Sequence, residues 1–71
     1  MTINVNNINS TSLYQLLASL INENVQITTQ FGIVIGAVLE VNSDYVVIQE
    51  TDGALAFVRF TKIEVITDVI E

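Results

Sequence analysis

Residues 33–49 read IVIGAVLEV-NSD-YVVIQ, and the fold turns on how this stretch is understood. Ile33–Val41 is rich in β-branched side chains, which fit a pleated, partly covered surface. Gly36 breaks the run, and a glycine inside a strand marks a bulge or a sharp bend. Asn42-Ser43-Asp44 is turn chemistry. Tyr45–Gln49 is a further strand, so the two runs read as antiparallel neighbours.

The pattern continues on both sides. Upstream, Val25, Ile27, Thr29 and Phe31 alternate with Gln26, Thr28 and Gln30, the period of a half-buried strand; Gly32 then permits a reversal. Downstream, Glu50-Thr51-Asp52-Gly53 carries the Asp-Gly hairpin signal. Ala54–Phe60 and Ile63–Thr67 read as the fourth and fifth strands, and the tail Asp68–Glu71 keeps Val69 and Ile70. Five short strands with a bend in the second predict a bent antiparallel meander, a small partly open barrel.

One helix precedes the strands. Leu13, Leu16, Leu17, Leu20 and Ile21 form a single apolar stripe at helical spacing. Ser12 and Gln15 fit a capping box, and Asn22-Glu23-Asn24 supplies a polar stop that tolerates a left-handed residue. About ten residues of helix are not stable alone in water, so this one must cover an end or the open mouth of the barrel. The chain divides into an arm, 1–9, and one domain, 10–71. In the arm, Ile3 and Val5 alternate with polar neighbours. It either frays or adds as a strand to the sheet edge of a neighbouring copy. Asn9-Ser10-Thr11 matches a glycosylation acceptor by chance, since no signal peptide is visible ahead of it. Residence in the cytoplasm, or incorporation into a spore surface or other assembly built there, is expected.

Composition sets the functional limits. A chain of 71 residues buries only about 60% of the surface its unfolded form exposes, so a lone core is marginal. It has no Cys for disulfides and no His, the commonest metal ligand and general base. Yet 51% of it is apolar. Ala56, Val58 and Phe60 lie opposite Leu55 and Phe57 on one strand; Val46 and Ile48 lie opposite Tyr45 and Val47 on another. One face fills the barrel, and the other calls for the helix or a second subunit. Eight carboxylates stand against two cations, Arg59 and Lys62, which argues against DNA, generic RNA or an anionic membrane as partner. No cofactor and no catalytic site is expected, because no nucleophile sits beside a plausible base. Asp44, Glu50 and Asp52 read as solvated turn carboxylates rather than calcium ligands.

Two segments carry a family resemblance. Gly36-Ala37-Val38-Leu39-Glu40-Val41-Asn42 resembles the first motif of Sm-like proteins, and Phe57-Val58-Arg59-Phe60-Thr61-Lys62-Ile63 resembles the second. The likeness spans about Leu13 to Ile66. It extends to small Sm-like proteins of unknown function in spore-forming bacteria, some associated with spore coats. In RNA-binding members an Asp and an Asn of the first motif and the Arg-Gly of the second surround a flipped base. Here those positions carry Asn42, Val46, Arg59 and Phe60, so only the arginine is kept. The gap from Gly32 to Gly36 is also one residue shorter than usual.

The resemblance implies a ring, made by pairing the fourth strand of one subunit with the fifth of the next. The expected function is therefore structural self-assembly into homo-oligomeric rings, with stacking into a tube or fibre as an extension of it. The interface residues would be Leu55, Phe57, Val58, Phe60, Ile63 and Val65, with Ile3 and Val5 of the arm. The alternative is an Sm-like ring that binds RNA or a protein partner, with Asn42, Tyr45 and Arg59 as the contacting residues.

Overall fold

The computed structural model describes residues 2–6 and 8–69. Its elements run β1 (Thr2–Asn4), α1 (Ser10–Ser19), β2 (Asn24–Thr29), β3 (Gly32–Val41), β4 (Tyr45–Glu50), β5 (Leu55–Arg59), a single 3-10 turn (Phe60–Lys62) and β6 (Ile63–Asp68). The fold is mainly β, one open antiparallel sheet with one short helix, in the order β1-β6-β2-β3-β4-β5.

Six strands replace the expected five because the arm joins its own sheet. Thr2, Ile3 and Asn4 pair antiparallel with Thr67, Ile66 and Val65. Ile3 and Val5 point inward there, and Val5 is buried beside Leu13 and Phe60 in the core cluster. The sheet is also not a simple meander. After β5 the chain passes through the 3-10 turn and returns to pair with β2, where Ile66 faces Ile27. This return curls the sheet around its apolar face without closing it, since no pairing joins β5 to β1.

Helix α1 lies against β3 and places Leu13 and Leu17 in the core. Its cap is Asn9, not Ser12: the Asn9 side chain accepts a hydrogen bond from the Ser12 amide at 2.8 Å. Asn is as good a cap as Ser, and from position 9 it starts the helix early enough to carry Leu13 on its first full turn. At the far end Asn22 adopts φ 72°, the left-handed stop expected of it. Its amide donates to the Val38 carbonyl at 2.8 Å, and the Val38 amide donates to the Glu23 carbonyl at 3.1 Å. The helix exit is thereby fastened to the middle of β3.

Gly36 serves a close approach. A Cβ built there would run into the backbone of Gln49 and Glu50 on β4. The register shift itself falls further on, between Val38 and Glu40. The hairpin from β2 to β3 is tighter than the alternation suggested, because Gln30 and Phe31 form its two-residue loop. Gly32 at φ 143° completes the reversal, and the Thr29 hydroxyl donates to the Gly32 carbonyl at 3.0 Å. At the C-terminus Val69 is tied to Asn24 by a backbone bond, while Ile70 and Glu71 lie outside the described residues.

The core holds Leu17, Val25, Ile27, Val38, Val46, Ile48 and Ile66, each essentially without solvent contact. Among the described residues no polar or charged side chain is buried.

Candidate functional site at the open edge of the sheet

Strand β5 is the feature that a monomer leaves unfinished. It pairs on one side with β4, placing Arg59, Val58, Phe57, Ala56 and Leu55 opposite Tyr45, Val46, Val47, Ile48 and Gln49. Its other side is an edge of the sheet. Such an edge presents unpaired N–H and C=O groups to any strand that can reach them. Leu55–Arg59 carries no proline or lysine, and its one charge, Arg59, stands at the very end, so Leu55–Val58 lack the usual protections.

Its side chains are divided between the two faces. Val58 and the following Phe60 are buried in the subunit's own core, and so are Ile63 and Val5. These four expected interface residues are therefore spent within one chain. Leu55 and Phe57 point the other way and are 52% and 66% exposed. Val65 and Ile3 are half-buried. Strand β6, which contains the expected fifth strand Ile63–Thr67, is flanked by β2 on one side and β1 on the other. The second edge of β6 is thus occupied by the arm of the same chain.

Both cations line one open groove beside this edge, together with Phe31, Val34 and Phe57. The Lys62 ammonium lies 5.8 Å from the centroid of the Phe31 ring, a cation–π distance. Phe31 is 79% exposed. It read as a strand residue in the sequence; its position between Gln30 and a glycine was the sign that it crowns a tight turn instead. A second hollow is lined by Asp44, Tyr45, Phe57 and Arg59. There the Tyr45 and Phe57 rings sit 6.1 Å apart and tilted by 42°.

Of the three candidate ligand residues, Tyr45 and Arg59 are brought together, directly across β4 and β5. Asn42 is not. Its amide donates to the Glu40 carboxylate at 3.0 Å, and it lines a separate hollow beside the start of α1 with Tyr14 and Ser10. The turn carboxylates are also kept apart. Asp44 precedes β4 and Glu50 ends it, six residues further on, about 20 Å away at ~3.3 Å per strand residue. Among the described residues no three potential metal ligands gather.

The outer face of the sheet has a distinct composition. Cross-strand rows run Thr2–Thr67–Gln26–Ile35, Asn4–Val65–Thr28–Ile33 and Asn24–Ala37–Gln49–Leu55. None of these rows holds a charge. The carboxylates of the described residues sit in turns, at strand ends or at register shifts; Glu40 and Arg59 enter the same face in the rows Glu40–Val47–Phe57 and Tyr45–Arg59, so the surface is sparsely charged and partly apolar, with Ile33 and Ile35 about half exposed.

Curled sheet, covering helix and unpaired apolar edge define a small, mainly β domain with an open antiparallel sheet. The chain belongs to the family DUF2642, described as a domain of unknown function, whose match covers residues 4–67. That range takes in every element from the end of β1 to the penultimate residue of β6. No curated protein and no solved structure matches the chain. No helix among the described residues is long and apolar enough to cross a membrane.

Proposed function

We propose that this protein is a structural, self-assembling subunit, a homo-oligomer whose copies join through the open edge of β5. The observation that carries the reading is β5 itself: an unguarded edge strand with Leu55 and Phe57 exposed on a chain too short to build a large core. The three uncharged rows of the outer face add a surface on which copies pack with little charge repulsion despite the net charge of −6. An Sm-like ring, and its stacking into a tube or fibre on a spore or elsewhere, is one form such an assembly takes. A ring of the Sm-like type, from β5 of one copy to β6 of the next, requires β1 to leave β6 first.

The test is the mass of the purified protein by light scattering. We expect a multiple of the 7.8 kDa chain mass, reduced toward one chain by the double substitution Leu55→Lys and Phe57→Lys. Both side chains are exposed, so the lysines leave the core intact while guarding the edge. A wild-type protein that stays monomeric at high micromolar concentration overturns the reading.

Capture of RNA or a protein partner is a second reading, favoured by one observation. Arg59 and Lys62 share a groove with two exposed phenylalanines, and base stacking on aromatic rings beside a cation is a mode of single-strand binding. Retention of U-rich or A-rich RNA at moderate salt, lost on Arg59→Ala, would support the RNA form of this reading; no binding at low salt removes that form.

A further inference from the structure

We infer that the occupant of the β5 edge is β5 of a second copy, paired antiparallel about a two-fold axis that passes beside Phe57. This rests on the self-assembly reading and specifies its contact. Two free edges exist in the described sheet, β5 and the three-residue β1. Pairing β5 with itself joins five residues to five and displaces nothing, whereas the Sm-like contact on β6 must first expel β1.

The symmetry of the strand fits this arrangement. Two antiparallel copies related by an axis perpendicular to the sheet keep their outward side chains on one face. With all five residues paired, Phe57 meets Phe57, Ala56 meets Val58, and Leu55 meets Arg59. Leu55 and Phe57, the exposed apolar side chains of the strand, then gain cross-strand neighbours, and the facing phenylalanines are an aromatic cross-strand pair, a favourable unit of sheet pairing.

Charge follows the same pattern. Two cations, Arg59 and Lys62, with the single carboxylate Asp44 beside Arg59, lie at the C-terminal end of β5, and two carboxylates, Glu50 and Asp52 in the hairpin turn, flank its N-terminal end. Antiparallel pairing brings the basic end of each copy to the acidic turn of the other, twice per contact. A parallel pairing would set basic ends together and acidic turns together. Isologous contacts of this kind close on themselves, which caps both β5 edges and leaves larger assemblies to the uncharged rows of the outer face.

The absence of cysteine makes a direct test possible, because each introduced thiol is the only one in the chain. Under mild oxidation Phe57→Cys should convert most of the protein to a reducible species of twice the chain mass. Leu55→Cys and Arg59→Cys should each remain single chains when oxidised alone and cross-link when mixed. Circular dichroism of the reduced variants checks the fold, and the mixed pair serves if Phe57→Cys is perturbed.

Cross-linking of Phe57→Cys with Asn4→Cys, but not with itself, would overturn the two-fold contact in favour of a head-to-tail one and leave self-assembly standing. A wild type of higher mass with no β5 self-linking also overturns the two-fold contact. Monomeric wild type together with no cross-linking overturns both readings.

Discussion

Gly36 shows how one missing side chain shapes the molecule. Alanine ordinarily gains about 0.5–1 kcal/mol over glycine inside a strand, because glycine loses more backbone freedom on folding. Here its Cβ would collide with the Gln49 and Glu50 backbone, which cannot move without breaking the register of β4. Overpacking of that kind costs about 1–3 kcal/mol, so the steric cost wins. Gly36→Ala should lower the urea midpoint; an unchanged or higher midpoint would show that β4 yields freely. Asn9 is the second position where one side chain matters. Asn9→Ala removes the acceptor of the Ser12 amide and should cost about 1 kcal/mol in denaturant unfolding. The glycine was visible in the sequence as an interruption of Ile33–Val41. The cap was not, because Asn9, Ser10 and Ser12 are all good caps and only the placement of Leu13 against the sheet selects among them.

Among the elements, β1 is the one whose role the linear pattern left open. The alternation of Ile3 and Val5 marks a strand but says nothing of its partner. The partner is β6 of the same chain, held by three paired residues and by the Val5 amide donating to the Glu64 carbonyl at 3.0 Å. So β1 acts as a guard on a long edge, at the expense of a shorter one. Removing residues 1–6 takes Ile3 and Val5 out of the core and bares β6 alongside β5. The expected outcome is a lower midpoint of unfolding together with larger particles in light scattering. A truncated protein whose mass equals that of the full chain would remove β1 from any control of assembly. The helix and the four hairpin-linked strands β2 to β5 were legible because each carries its own period and turn residues. The pairing of β6 with β2, and of β1 with β6, was not, because nothing local encodes which distant edge a strand joins.

For the whole molecule, the excess of apolar residues noted in the sequence has been divided. Half of the expected interface side chains, Val5, Val58, Phe60 and Ile63, are core; Leu55 and Phe57, with Phe31, Ile33 and Ile35, remain outside. A small domain that hands part of its stabilisation to a second copy gains it by mass action. Its melting temperature should therefore rise over a roughly hundredfold increase in protein concentration, while that of the Leu55→Lys, Phe57→Lys protein stays constant. Equal behaviour of the two proteins in calorimetry would show that the β5 edge contributes nothing to stability.

The sequence by itself determined the elements of this protein: one amphipathic helix, a series of short strands, glycines where the chain reverses or is approached, and a balance of two cations against eight carboxylates. Those features are local, carried by periodicity and turn chemistry within a few residues. Tertiary structure alone decided which edges are filled. Strand pairing joins residues up to 65 positions apart, as Thr2 and Thr67 are, and backbone hydrogen bonds are the same for any side chain. Only the curl of the whole sheet brings β1 to β6 and leaves β5 open.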